Sequence, residues 1–240
     1  MKKSLGVIIL AINEVDSLRE CVTSALHLFP EIEGKVVIST SKLATIECLQ
    51  VVNELKVNVP KLKVHFQTEP FVAAAVLEVV AQLDTDYVIY MSADGETPTE
   101  LIPELYRTIN DLNLDIVSAS RWMNRGSFND YGFMKTILSW SAQKLCKILY
   151  NSSLTEFTYG FRIYRTGILK KCVFRETKHP FFVESLLVPL RLGAKSSEIP
   201  TKWTARTEGE SVASLTTWIS YLRPIFRTRV LVKSKLSKAE

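Results

Sequence analysis

Asp94 and Glu96 are two carboxylates set two residues apart at the end of an apolar run, Tyr87-Val88-Ile89-Tyr90-Met91-Ser92-Ala93-Asp94-Gly95-Glu96-Thr97-Pro98. Hard oxygen donors at that spacing, just past a strand, can turn toward one divalent cation, Mg2+ or Mn2+. A plainer role competes on equal terms: Asp94 and Thr97 can cap the helix that follows, whose first turn Pro98 suits. In either role the loop belongs at the carboxyl end of a strand, where open α/β sheets present their ligands.

The elements that would hold the loop there follow from apolar periodicity. Leu5–Ile12, Lys35–Thr40, Leu62–Gln67, Tyr87–Met91 and Asp115–Ala119 read as strands, without strict alternation, as expected of parallel strands covered on both faces. Leu18, Val22, Ala25 and Leu26 recur at helical spacing, as do Val72, Val76, Val79, Val80 and Leu83, and then Leu101, Leu105, Ile109 and Leu112. The alternation predicts an α/β fold with a Rossmann-like, mostly parallel sheet, flanked by helices and joined by right-handed crossovers. Further on come a helix at Phe133–Tyr150, a strand at Phe161–Tyr164, a helix around Phe182–Leu192 and a strand at Ser196–Ile199. From Ser214 the pattern is helical and amphipathic, with a break expected at Pro224. No linker divides the chain. Residues 1–230 read as one domain with halves 1–120 and 121–230, and residues 231–240 as a basic tail.

Composition narrows the function classes. At 240 residues, 47% hydrophobic and 23% charged, the chain is neither disordered nor fibrous. Cys21, Cys48, Cys146 and Cys172 lie far apart without a C-x-x-C pair, which predicts reduced, buried thiols in a cytoplasmic protein rather than a zinc or redox motif. No run reaches the ~18 apolar residues of a membrane span. The apolar start is broken by Asn13, Glu14 and Asp16, so it reads as a strand and not a signal peptide. A net charge of +5 conceals asymmetry: residues 1–120 carry 9 basic and 17 acidic side chains, residues 121–240 carry 21 and 8. Such a split favours contact with a polyanion, whether nucleic acid, an anionic membrane or a phosphorylated substrate. No helix-turn-helix, RNA-binding or zinc signature supports nucleic acid.

The segment around Asp94 resembles the signature of family-2 glycosyltransferases of the GT-A fold, in which a hydrophobic strand ends in Asp-Ala-Asp, a Gln follows two residues on, and Pro-Glu-Leu starts a helix. The likeness continues along the chain. Leu10-Ala11-Ile12-Asn13-Glu14 is similar to the family's Pro-Ala-Tyr-Asn-Glu, Ser118-Ala119-Ser120-Arg121 to Gly-Ser-Arg, and Thr158-Tyr159-Gly160-Phe161-Arg162 to Thr-Ser-Gly-Phe-Arg. Gly209-Glu210-Ser211 follows Arg206 as a Gly-Glu-Ser follows a basic residue in the family. With Phe182 and Glu184 between them, the order of motifs resembles the dolichol-phosphate mannose synthase and polyprenyl-phosphate glucosyltransferase branch. Three departures stand out: Ser92 replaces the first Asp, Ser39-Thr40-Ser41 replaces an Asp-Asp-Gly-Ser turn, and Glu69-Pro70-Phe71 replaces an Asn-x-Gly turn. Ser92, Asp94 and Glu96 still supply the two negative charges of Asp, Asp and Gln.

The resemblance implies a metal-dependent transfer of a hexose, with inversion, from a nucleotide-diphosphate sugar to polyprenyl phosphate. It implies that Leu10, Ala11, Ile12, Glu14, Ser39, Ser92, Ala93, Asp94 and Ser211 bind substrate, and that Asp94 and Glu96 hold Mg2+ or Mn2+ against the donor diphosphate. Arg121, Arg162 and Arg206 stand at motif positions where a guanidinium can meet phosphate, and at least two are expected to face the active centre. Glu184 orients an arginine, acts as a base toward a hydroxyl acceptor, or makes a buried helix-to-loop salt bridge. Lys135, Lys144 and Lys147 in the Phe133–Tyr150 helix either reach lipid phosphates or edge a packed helix. Trp218, Tyr221, Leu222, Ile225 and Phe226, interleaved with Arg223, Arg227 and Arg229 and followed by Lys233, Lys235 and Lys238, suit peripheral attachment to the cytosolic face of an anionic membrane. The alternatives are a glycan hydroxyl as acceptor in cell-surface polysaccharide synthesis, and a degenerate transferase kept as a binding subunit.

Overall fold

Short valine- and isoleucine-rich runs can bury both faces only between two layers of helices, and the chain forms such a sandwich. A computed structural model describes residues 3–28, 35–60, 62–124, 133–202, 208 and 215–238. Strands β1 (Leu5–Leu10), β2 (Val36–Thr40), β3 (Lys63–Phe66), β4 (Tyr87–Ser92), β5 (Ile116–Ser120), β6 (Arg162–Arg165) and β7 (Ser196–Pro200) make one sheet in the order β3-β2-β1-β4-β6-β5-β7. β1, β2, β3 and β4 pair in parallel, as do β5 and β7. β6 runs antiparallel to both β4 and β5.

Successive residues of one strand feed opposite layers. Val7 and Ile9 pack with α1 (Asp16–Leu28), α2 (Ile46–Asn58) and α4 (Ile102–Asp111) through Leu18, Val22, Val51, Leu55, Leu105 and Ile109. Ile8 points the other way, into a core with α3 (Val72–Gln82), α5 (Phe133–Tyr150), α6 (Thr166–Lys171), α7 (Phe181–Arg191) and α8 (Leu215–Val230). That two-sided burial is why β1 reads as a continuous apolar run.

The expected mostly parallel α/β sheet is present, with local differences. β1 ends at Leu10, so Ala11 and Ile12 form loop, whereas Ser92 is the last residue of β4. Helix α8 continues through Pro224, with the apolar side chain of Ile225 directly behind it fully buried. All four cysteines are buried and unbonded, and burial pushes the Cys146 and Cys172 thiols up to about 12. Among the described residues, no helix is long and apolar enough to cross a membrane.

The basic stretch after α8, expected as a tail, folds back onto the domain. Lys233–Lys235 form one 3-10 turn, and Leu236 is fully buried against Cys172 and Val188. The Val173 N–H donates to the Leu236 carbonyl (2.9 Å), and the Lys238 N–H to that of Lys171 (2.8 Å). Leu236→Ala should therefore cost about 2–5 kcal/mol in urea unfolding, whereas exposed Lys238→Ala should stay within about 0.5 kcal/mol of the parent.

Candidate functional site

The carboxyl ends of β1, β2 and β4 lie level, with Leu10 in register with both Ser39 and Ser92. The chain leaves the sheet there in step: Ala11 N–H donates to the Ser39 carbonyl (3.1 Å) and Ala93 N–H to that of Leu10 (3.0 Å). The Glu14 carboxylate turns back to accept the N–H groups of Ile12 (2.7 Å) and Asn13 (2.9 Å), which shapes the loop after β1.

Beside that loop sits Asp94, 2% exposed. Its Oδ1 accepts the Glu96 N–H at 3.1 Å, closing a tight turn over Gly95. Gly95 has φ +82°, a conformation that a side chain would strain, so glycine is what lets the two carboxylates follow one another so closely. Thr97 Oγ1 donates to the Ser92 carbonyl (2.8 Å) and ties off the far side. Asp94 does not cap a helix by itself, because the Thr99–Leu101 3-10 turn and α4 start beyond the loop. Its negative charge is felt on α1: burial, and then Asp94, push the Cys21 thiol up to about 12. Among the described residues no three His, Cys, Asp or Glu side chains gather around one point. The donor set at Asp94 and Glu96 nevertheless fits a cation that takes its other ligands from water and phosphate oxygens, which is the usual manner of Mg2+ at nucleotide substrates.

The loop is anchored from the second half of the chain. Tyr159 Oη donates to the Glu96 carbonyl at 2.7 Å, and the Arg121 guanidinium lies 4.6 Å from the Tyr159 ring centre. Arg121 Nε donates to Glu156 at 2.8 Å, and Nη2 to Thr158 Oγ1 at 3.3 Å. Glu156 is wholly buried and also accepts from Gln143 Nε2, Thr158 N–H and Oγ1, and Tyr159 N–H. Burial, the largest influence, pushes its carboxyl up, but Arg121 and Thr158 together outweigh it and hold the group below the ordinary value. Glu198 of β7 accepts the N–H groups of Thr155 and Glu156, both at 2.7 Å.

Three expected phosphate-facing or catalytic groups turn out to be framework: Arg121, 5% exposed and held by Glu156 and Thr158, and two more. Arg162 is fully buried in β6; it donates to the Phe182 carbonyl (2.6 Å), the Phe157 carbonyl (2.9 Å), Ser118 Oγ (3.1 Å) and Tyr164 Oη (3.4 Å). A guanidinium enclosed by protein acceptors is not presented to a substrate. Glu184 takes the salt-bridge alternative: it accepts the Arg175 and Glu176 N–H groups (2.8 and 2.7 Å) and pairs with Arg227 of α8 at 2.6 Å. The Ser39 hydroxyl is likewise spent inside, donating to the Ala75 carbonyl at 2.7 Å. Arg206 and Ser211 lie outside the described residues, as do the side chains of Lys135 and Trp218.

Sequence reasoning did not single out Glu156, Tyr159 or Glu208. Tyr159 sat inside a quoted motif without a role, and the other two are isolated carboxylates whose partners are remote in sequence. Glu208 caps α1, accepting the Val15, Asp16 and Ser17 N–H groups and the Ser17 hydroxyl at 2.7–3.5 Å. It thereby ties position 208 to the start of α1, beside the loop carrying Glu14. Phe71, where the resembled motif carries glycine, holds φ +76° with ψ 167°, an extended positive-φ conformation that suits glycine, at a cost of about 1–3 kcal/mol. The turn before it is pinned by Glu78, which accepts the Thr68 and Glu69 N–H groups and the Thr68 hydroxyl and faces His65 Nε2 at 2.8 Å.

Comparison with known proteins places these features in context. The family model described as "Glycosyl transferase family 2" matches residues 6–173. An undecaprenyl-phosphate mannosyltransferase of Micrococcus luteus is 27% identical over 132 residues, 54% of each chain. A dolichol-phosphate mannosyltransferase of Pyrococcus furiosus is 24% identical over 227 residues, covering 93% of this chain and 63% of that protein. The chain thus spans between half and two thirds of the length of these relatives. Among solved structures, glucosyl-3-phosphoglycerate synthase of Mycobacterium tuberculosis with Mn2+, UDP and phosphoglyceric acid superposes with a TM-score of 0.73 at 14% identity, over 97% of this chain and 80% of that one. The same enzyme with Mg2+ and UDP gives a TM-score of 0.69 at 13% identity, over 97% of this chain and 81% of that one. At such identity the likeness concerns the fold.

Two outcomes test the framework. Glu156→Gln leaves Arg121 buried beside a neutral partner and should cost about 3–5 kcal/mol in chemical denaturation; adding Arg121→Gln should recover part of that loss. Burial raises the Glu78 carboxyl, but its hydrogen bonds prevail and hold it at about 2, below an ordinary 4.5. Its contribution to stability is complete above pH 4.5 and is lost as pH falls through about 2. Glu78→Gln should therefore flatten the acid limb of a stability-against-pH curve within that window.

Proposed function

Because the chain belongs to glycosyl transferase family 2, we propose that it transfers a hexose, with inversion, from a nucleotide-diphosphate sugar to polyprenyl phosphate at the cytosolic membrane face. The observation that carries the reading is the Asp94-Gly95-Glu96 turn at the edge where β1, β2 and β4 end level. The names of the two mannosyltransferase relatives support the acceptor class, since both are lipid phosphates.

The chemistry asks for charge stabilisation on a departing nucleoside diphosphate. Asp94 and Glu96 are the residues that would hold Mg2+ or Mn2+, which supplies that stabilisation when bound. Leu10, Ile12 and Ser92 form the shelf on which the nucleotide lies, Ala11 and Ala93, expected to touch substrate, are buried beneath it, and Glu14 keeps the shelf's shape through its two main-chain bonds. The Ser39 hydroxyl, committed to Ala75, takes no part in base recognition. Arg121 acts as a positioning residue: its Tyr159 contact holds the Glu96 carbonyl in place. Arg162 and Glu184 hold the second half of the chain together, which leaves Arg206, with Ser211, as the motif arginine for the phosphates. An acceptor that is already an anion needs no strong general base, and the enclosure of Glu184 is compatible with that.

A panel of UDP-, GDP- and dTDP-sugars, each with Mg2+ or Mn2+, should raise the melting temperature for one base. Asp94→Asn and Glu96→Gln should weaken metal-dependent donor binding about tenfold or more in titration calorimetry while preserving the fold. Transfer of labelled sugar into an organic-extractable, mild-acid-labile product would identify the lipid-phosphate acceptor. A label that stays in a glycan points instead to a hydroxyl acceptor. Silence of every sugar in the thermal panel means a binding subunit, the reading that the altered Ser39-Thr40-Ser41 segment would then favour.

A further inference from the structure

Helices α5 and α8 each bury one side and leave the other uncovered among the described residues. On α5, Ala142 and Cys146 are buried, whereas Ile137, Trp140, Lys144, Lys147 and Ile148 face outward. On α8, Ile225 and Thr228 are buried, whereas Ile219, Arg223, Phe226, Arg229 and Val230 face outward. The spacing of three and four makes each set a single stripe along its helix. The helices meet at their carboxyl ends, where Tyr150 Oη donates to the Ile225 carbonyl (2.7 Å) and Arg229 Nε to that of Leu149 (2.8 Å). Ile148 and Val230, at the ends of the two stripes, each adjoin a partner in the second of those bonds.

Two properties distinguish this face. Of the fifteen large apolar side chains exposed among the described residues, seven lie on α5, on α8 or at Val232 just beyond, so apolar exposure is concentrated here instead of scattered. Neither helix contains a carboxylate; Glu176, outside both, pairs with Arg227 at 2.9 Å and reaches Arg223 only at 3.8 Å, leaving the Arg223 side chain 74% exposed, and exposed Lys233, Lys235 and Lys238 follow α8. Trp140 and Lys144 are in contact, ammonium to ring centre 5.5 Å, which joins an apolar ring and a cation at one place. Large apolar side chains set among lysine and arginine match the boundary between lipid phosphates and acyl chains.

We propose that the outward face of α5 and α8 docks the protein on an anionic lipid bilayer, with Trp140, Ile148, Phe226 and Val230 entering the headgroup boundary and Lys144, Lys147 and Arg223 meeting lipid phosphates. A second copy of the chain is a poor occupant, since two-fold pairing would set one basic stripe on another. A nucleic acid or an acidic protein would satisfy the charges but strand the apolar side chains. The proposal rests on the lipid-acceptor reading above only in giving that acceptor's membrane a place to meet the protein.

Co-sedimentation of the full chain with vesicles tests it without any substrate. Vesicles of phosphatidylcholine with phosphatidylglycerol should bind at least about tenfold more strongly than phosphatidylcholine alone, and less so in high salt. Lys144→Glu with Lys147→Glu should weaken binding by about tenfold or more. Trp140→Ser with Phe226→Ser should remove the binding that survives high salt, and all four positions are exposed, so melting temperatures should stay close to the parent's. Equal binding to both vesicles, or variants that bind like the parent, would overturn the proposal. So would a dimer in analytical ultracentrifugation that the lysine variants dissolve, or a preference for RNA over vesicles. Failure here with donor binding intact removes the docking face alone; loss of donor binding with vesicle binding intact removes the transferase reading alone.

Discussion

A carboxylate withdrawn from water keeps its charge only if donors meet it on all sides. Glu156 is in that position, and the groups that meet it come from the end of β5, from α5 and from the segment before β6. One of its partners, Arg121, lies against Tyr159, which reaches across to the Glu96 carbonyl. The turn bearing Asp94 is therefore held by a charge pair on the other half of the chain. The two halves, opposite in net charge, are joined at the site by hydrogen bonds that neither could make alone.

Motif residues divide accordingly into those that face the shelf and those that build it. Arg162 and Glu184 stand at positions where sequence suggested contact with substrate, and both are buried with their polar atoms occupied. Removing such groups would expose unpaired carbonyls and charges, so a requirement for the residue type is explained by framework alone. Gly160 has the same character, because a Cβ there would come within 2.8 Å of the Phe182 ring. The carbonyl of that same Phe182 accepts from Arg162, which links the glycine and the arginine of one motif through a third residue.

The sheet was legible because its strands are buried on both faces and so appear as unbroken apolar runs, as in Tyr87–Ser92. Helices with one dry face, such as α4, were legible for the related reason that Leu105 and Ile109 recur at helical spacing. The antiparallel setting of β6 was not, since strand direction depends on long-range pairing and Arg162–Arg165 is only four residues long. The docking of Leu236 escaped notice because one apolar residue among lysines carries no periodicity. The Asp94 turn was visible through its residue types, but its anchors were not: Glu156 and Glu208 act on partners up to 193 residues away, and no local spacing encodes that.

The insertion of β6 between β4 and β5 also sets an order of assembly. As the chain emerges, β3, β2, β1 and β4 can pair in parallel once Ser92 is clear, whereas β5 must wait for β6 and β7, its partners among the described residues. Until Arg162–Arg165 appears, roughly seventy residues later, β4 presents a bare edge of main-chain donors and acceptors, and Val88 and Tyr90 lack the cover that α5, α6, α7 and α8 bring. Nascent chains halted in that interval would be the aggregation-prone form of this protein, and the four-residue strand that closes the sheet is what ends the exposure.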